Sequence, residues 1–439
     1  MDLLLRPGSV IQEIVSIVET HLEDFLQGGE EIASLEELEE KGLALLRRIG
    51  PVLLAWQARV VDQKIRPTGC PCGGVSYSLG PRPRALETRV GPVRLKRGYY
   101  KCRDCGRCWH PLDEVWKVLP GCLSPGGRRA AVELATGTTF REAQLLLQQG
   151  AGILVSLSTV WRATQRAGAE RVQALLDGLA ETSDRTGAAA FLRSMRGPGR
   201  AGRWAMAVDG LFLRIAHQYR EVKIAVVGQL TETGEWRKGE TTYLATTQPA
   251  ETFRKLLRRH AQARGITWKS SLILLSDGAQ WIAALSTRFF PNALHILDFW
   301  HASEYLFQAA HALYGEGTAE AQAFGEEMKE WMRKRTVPEI LNRLEQERTR
   351  LGIVHGERQE ALRKVTQYLR EHAPCMNYEH YREHRYPIGS GPAEAGCKTL
   401  VQSRMKRAGM NWSPTGAENM LALRAEYYSR LVASPPQRC

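Results

Sequence analysis

"RWAMAVDGLFLRIA", residues 203–216, is followed by "REVKIAVVGQL" at 220–230 and "TTYLATT" at 241–247. All three stretches are rich in β-formers and separated by short polar breaks, so they read as three successive strands. A helix is expected over roughly 250–264. Then come a buried strand in "SSLILLSD" (270–277), a helix in "GAQWIAALSTRF" (278–289) and a further strand in "ALHILD" (293–298). Asp209 and Asp277 fall at expected strand ends, where a carboxylate is held rigidly and partly dehydrated. Carboxylates in that setting bind hard cations. Taken singly, either acid is equally well an Asp-Gly turn.

The order of the acids separates the two readings. Three strands, a helix, a strand bearing a second acid and a later helix bearing a third match a ribonuclease H-like core. Such a core holds two Mg²⁺ or Mn²⁺ ions about 4 Å apart. The third acid is Glu394. It is the one carboxylate in "YPIGSGPAEAGCKTLVQSRMKRAGMNW" (386–412), among Lys398, Arg404, Lys406 and Arg407. These four cations are expected to approach a DNA backbone while the metals offset the repulsion between Glu394 and phosphate. An exposed Glu394–Lys398 pair at i,i+4, worth about 0.2–0.5 kcal/mol, is the plainer alternative. It explains neither the "GSG" approach nor the lack of other acids nearby.

The 439 residues suffice for two or three domains, and 43% hydrophobic with 24% charged residues is ordinary for a soluble globular protein. No apolar run is long enough to cross a membrane, and no signal-peptide pattern opens the chain, so a cytoplasmic, nucleoid-associated protein is expected. The net charge is +13, but residues 1–60 carry 11 Asp/Glu against 5 Lys/Arg, which leaves +19 on the remainder. A basic body of that kind suits a phosphate-backbone partner; a solvated basic surface is the alternative.

Before the strands, residues 1–65 read as an acidic helical arm, either a dimerisation device or ordinary packing. Residues 66–122 have strand character, as in "TRVGPVRLKRGYYKC" (88–102), flanked by Cys70-Pro-Cys72 and Cys102-Arg-Asp-Cys105. Two cysteine knuckles separated by a hairpin suit a zinc ribbon, in which four thiolates close a structural Zn²⁺ site; four buried thiols are the plainer alternative. The single residue inside the first knuckle leaves Cys108 or His110 open as a replacement ligand. Over 123–181, "FREAQLLLQQGAGILVSLSTVWRATQRAG" (140–168) reads as a helix, a glycine turn and a second helix starting near Ser158. That is a helix-turn-helix pattern, with Arg162 and Arg166 able to reach DNA, although paired amphipathic helices occur in many folds. A linker is expected over 182–203, and helices throughout 301–372.

"VDG", "SDGAQWI", "HILDFWHASEYL" and "GSGPAEAGCKTLVQSRMKRAGMNWS" resemble bacterial insertion-sequence DDE transposases of the ISKra type, distant relatives of Mutator-like and hAT transposases. The resemblance runs from about residue 66 to 428. It implies a catalytic triad of Asp209, Asp277 and Glu394, and places the family's Asp-x-x-His signature on Asp298 and His301. From spacing alone Asp298 is an N-cap with His301 in the first helical turn; the resemblance puts both near the active site. It also makes 301–372 an all-α insertion in a catalytic core of 204–300 and 373–430. Phe299 and Trp300 are expected in the core.

The expected protein is therefore an α/β (α+β) multidomain DNA transposase that acts on double-stranded DNA, terminal inverted repeats and target alike, as a homodimer or higher assembly. Two rivals remain open from the sequence. One is a structure-specific nuclease that cuts without joining. The other is a DNA-binding regulator with an inert nuclease-like body.

Overall fold

The computed structural model describes residues 7–27, 34–65, 70–180, 193, 199–279, 281–282 and 285–433. Most of the expected linker lies outside the described residues. The chain is a mixed α/β protein of two compact units that divide between Arg166 and Ala167.

In the first unit, α1 (Pro7–Gln27) and α2 (Leu35–Lys64) precede a three-stranded sheet of β1 (Ser76–Thr88), β2 (Gly91–Cys102) and β3 (Cys108–Trp109). Ser34 and Glu37 form a reciprocal capping box that starts α2. Alternate residues of β2 point inward, and Val93 and Leu95 pack with Leu86, Leu112 and Ala58 of α2. Part of the acidic arm is thus ordinary core packing. After α3 (Pro111–Val115) come α4 (Pro125–Gly137), α5 (Phe140–Ala151) and α6 (Leu157–Ala180), the last running across the division between units. Ala131, Ala135, Leu147, Ile153 and Val160 form the core beneath α4, α5 and the start of α6. Gly152 ends α5 in the left-handed region.

The second unit holds a five-stranded sheet made of β4 (Arg203–Ile215), β5 (Gln218–Gln229), β6 (Thr242–Thr246), β7 (Ser271–Ser276) and β8 (Leu294–Leu297). The spatial order is β6-β5-β4-β7-β8. The β6–β5–β4 neighbours are antiparallel, and β7 and β8 run parallel to β4. Side chains alternate across the sheet. Trp204, Met206 and Val208 pack with Phe253 and Leu257 of α7 (Ala250–Ala263) on one face. On the other face Ala205 and Ala207 pack with α8 (Phe299–Tyr314), α9 (Ala319–Lys334), α10 (Val337–Arg350) and α11 (Glu357–His372). Of the helix expected over 278–289, the described residues show 281–282 and a π-helical turn at Leu285–Phe289.

The chain then passes α12 (Tyr378–Glu383) and enters a helical run: α13 (Gly391–Cys397), a π-helical stretch (Lys398–Gln402) and α14 (Ser403–Met405), before α15 (Pro414–Ala433). Gly396 lets α13 sit directly on the sheet, since a Cβ there would lie 3.0 Å from Val226 Cγ2. The π-helical stretch frees carbonyls from regular i→i+4 bonding. Arg424 of α15, fully buried, meets that need: its Nε donates to the Leu400 carbonyl at 2.6 Å and its Nη2 to the Thr399 carbonyl and Ser403 Oγ. The "MNW" run anchors the far end. Asn411 Oδ1 accepts the His217 N–H at 2.8 Å, and Trp412 exchanges backbone bonds with Arg214 and Ala216. These contacts hold the β4–β5 turn, whose Ala216 and His217 both have positive φ.

Replacing Arg424 with Met fills a similar volume but leaves at least two buried carbonyls without a donor. Chemical denaturation should show a loss of about 2–4 kcal/mol. Unchanged stability would mean that the π-helical stretch does not depend on this side chain.

Candidate active site

In the first unit the four expected cysteines come together. Cys70 Sγ lies 3.4 Å from Cys105 Sγ, and Cys72 Sγ 3.6 Å from Cys102 Sγ. Both distances are too long for a disulfide, and all four ligand atoms lie within 4.8 Å of one another. The short first knuckle therefore does belong to the cluster. Cys108 instead bonds the Gly106 carbonyl and His110 the Gly98 carbonyl, so neither replaces it. The thiols are electrostatically at odds. The Arg107 backbone N–H and the thiols of Cys70 and Cys72 bring Cys105 down to about 7. The Gly74 N–H favours the Cys72 thiolate, but its neighbours push that thiol up to about 12. Close thiols cannot all ionise unless a cation joins them. The cluster can hold a structural metal such as zinc.

Arg162 and Arg166 are exposed on α6. With Arg128 of α4 they line a cavity of about 320 Å³, together with Gly121, Cys122 and Thr159. Three arginines thus meet at one concavity. Arg128 had no distinguishing signal in the sequence.

In the second unit, Asp209 is not at the end of β4 but in its middle, because the hairpin with β5 continues to Ile215. What ends there is the parallel ladder: its last pair is Val208–Ser276, Asp209 is the next residue on β4, and Asp277 is the first residue past the end of β7. Asp209 Oδ1 accepts the Gly210 N–H at 2.6 Å and Oδ2 accepts the Cys397 thiol at 3.3 Å. Burial raises the Asp209 pKa above the ordinary carboxylate range, and the charges of Asp277 and Glu394 push the same way. Burial and the same three acids drive the Cys397 thiol up, so it serves as a proton donor to Asp209. Glu394 is exposed on α13. The three carboxylates interact electrically without forming a set of ligand atoms within 4.8 Å.

Asp277 Oδ1 accepts the Ala279 N–H at 3.0 Å, and its carbonyl takes the Tyr368 hydroxyl at 3.2 Å. Gly278 follows with φ +87, and a Cβ there would lie 2.9 Å from His372 Nε2. Tyr368 stacks on Tyr305 at 3.6 Å, and His301 sets its ring edge-on to Tyr305 at 5.6 Å. Tyr305, Tyr368 and His372 thus shape the Asp277 loop. The sequence reading missed all three, since aromatic and histidine residues at i,i+4 on a helix do not announce a neighbour so distant in sequence.

Asp298, 2% exposed, is the N-cap of α8: its Oδ1 accepts the His301 N–H at 2.7 Å, and its Oδ2 accepts the Ser390 N–H. It grips the His301 main chain rather than the imidazole, so its role is to position. Phe299 is core, as expected, but Trp300 is 54% exposed, its indole beside Gly389. Of the four expected cationic contacts, Lys398, Lys406 and Arg407 are exposed, the latter two beyond the end of α14. Arg404 departs from expectation. It is 1% exposed and lies 5.4 Å over the Trp412 ring, a core cation that cannot meet a phosphate.

Among the described residues no helix is long and apolar enough to cross a membrane. In comparisons with known proteins, no family model and no curated protein matches the chain.

Two outcomes follow from these geometries. Metal analysis should find zinc on the cysteine cluster, and stripping it should unfold the β1–β3 ribbon; protein without any thiolate-bound metal would refute this. Asp209 has a folded pKa above its unfolded value. Its ionisation therefore opposes folding, and stability falls as pH rises through the folded pKa. In metal-free buffer Asp209→Asn should raise the unfolding midpoint at neutral pH and leave it unchanged below the ordinary carboxylate range. An equal effect at both pH values would assign the gain to packing.

Proposed function

We propose that this chain is a DNA transposase that binds the terminal inverted repeats of its element, cuts there and joins the freed ends to target DNA. One observation carries the reading. Asp209 and Asp277 sit side by side just past the last pair of a parallel ladder, with Glu394 near enough to raise the Asp209 pKa. Three antiparallel strands followed by two parallel ones, with acids at the central pair, is the arrangement expected of a ribonuclease H-like core. Helices α8–α11, between β8 and the segment bearing Glu394, correspond to the all-α insertion of the ISKra-type transposases that the sequence resembles.

An all-oxygen donor set with mutual repulsion suits hard divalent cations. Asp209, Asp277 and Glu394 would hold Mg²⁺ or Mn²⁺, which supply charge neutralisation at the attacking and leaving oxygens of the phosphodiester. The chain's own residues do the remainder. Asp298 fixes the loop leading to Glu394, while Tyr368 and His372 fix the loop of Asp277. Lys398, Lys406 and Arg407 offer exposed charge to the DNA backbone, and Arg162 and Arg166 with Arg128 offer it in the first unit. Hydrolysis leaves a 3′-hydroxyl, which then attacks a target phosphodiester. Two ends brought together call for a homodimer or larger assembly on DNA.

The test uses the full chain, Mg²⁺ and duplexes carrying the repeats that bracket its gene. Asp209→Asn, Asp277→Asn and Glu394→Gln should each slow cleavage by about 10²–10³-fold or more, the scale of losing one charge-stabilising group. End binding should persist in mobility-shift assays. Full-rate cleavage by Glu394→Gln would remove that residue from the site, and cleavage without any joined product would identify a nuclease instead.

A further inference from the structure

His380, Glu383 and His384 lie on α12 and its C-cap, and none of them has a role in the sites described above. Their spacing, His-x-x-Glu-His, sets the side chains at i, i+3 and i+4, one face of a helical turn. One ligand atom from each lies within 4.8 Å of the other two, and all three residues are exposed. The imidazole rings of His380 and His384 are 4.0 Å apart between centroids. We propose that these three side chains form a second metal site, for a borderline transition-metal ion such as Zn²⁺.

The hydrogen bonding sets the ligand's tautomer. His384 Nδ1 lies 2.9 Å from the His380 carbonyl oxygen. A carbonyl oxygen only accepts, so Nδ1 carries the proton and Nε2 keeps its lone pair for an ion. A backbone carbonyl on the other ring nitrogen is the usual orienting partner of a metal-bound histidine. The helix beneath is firmly held. Tyr378 and Tyr381 are buried, and the Asn377 side chain caps the turn at the His380 N–H. Arg203 Nη1 donates to the His384 carbonyl at 3.2 Å and to that of Arg385 at 3.4 Å. Sites on rigid elements lose little order when they load.

Two imidazoles and one carboxylate select zinc, nickel, cobalt or copper over magnesium, whose ligands are oxygens. A tetrahedral ion with bonds of about 2.0–2.1 Å spaces its ligand atoms roughly 3.3 Å apart, within reach of small rotations of exposed side chains. Three protein ligands leave a fourth position to water. Because the His384 main chain is bonded to Arg203 at the start of β4, a loaded site would tie α12 to the sheet.

This proposal is independent of the DNA chemistry, so its test needs none. Tag-free full-length protein is equilibrated with Zn²⁺ and analysed for metal. Wild type should hold two ions per chain, and His380→Ala/His384→Ala should hold one. Glu383→Gln should weaken the second ion by at least about 10-fold. With Co²⁺, the thiolate-to-metal charge-transfer band of the cysteine cluster should be identical in wild type and variants, while a weaker d–d absorption disappears from the double variant. Circular dichroism checks that the variants fold; should the double variant not, Glu383→Gln gives the affinity readout. Equal stoichiometry and equal affinity for the second ion in wild type and variants would overturn the site.

Discussion

The buried carboxylate of Asp298 joins two segments of chain that lie far apart in sequence. One oxygen caps α8 at the His301 N–H, and the other holds the Ser390 N–H ninety-two residues away. The Phe299 N–H completes the junction by donating to the Ile388 carbonyl at 2.8 Å. Helix starts leave backbone donors unsatisfied, and here part of that need is met by the very loop that leads into Glu394. Five helices, α8 to α12, intervene between β8 and α13, and this junction helps return the chain to the sheet.

From that point the placement of Glu394 depends on close packing. Gly396 brings α13 against β5, and the π-helical stretch after Cys397 shifts the register of the side chains that follow. Arg424 stabilises that stretch from within, with its pKa lowered by burial and its guanidinium bonded to freed carbonyls. A charge so enclosed is tolerated only with good hydrogen-bond geometry. Arg404 is enclosed nearby over Trp412. The basic appearance of this segment thus combines buried arginines that stabilise it with exposed cations that remain accessible to a polyanion.

The cysteine cluster and the three carboxylates share a physical signature: the charge of one group disfavours the ionisation of its neighbour. The cysteine cluster splits its thiols between a lowered and a raised pKa, and burial with neighbouring acids raises Asp209. The raised Asp209 pKa costs stability once the carboxyl ionises, and the cysteine cluster can relieve its own repulsion by holding a metal.

Much of this was legible from local pattern. β-forming composition and apolar runs located all five strands of the sheet, and the cysteine knuckles and the two aspartates were visible because spacing and residue type are properties of short segments. The interior position of Asp209 in β4 was not legible, since strand length is set by the β5 partner rather than by β4 itself. The burial of Arg404, the exposure of Trp300, the aromatic wall of Tyr305 and Tyr368, and the approach of Arg128 to Arg162 were likewise hidden. Each depends on which side chains from distant segments occupy the same volume. The sequence by itself determined the element order and the inventory of ligating groups, because periodicity and chemistry are local. Only the tertiary structure decided which cations face water and which acids share a field, because burial and electrostatic coupling arise from contacts that the linear order does not contain.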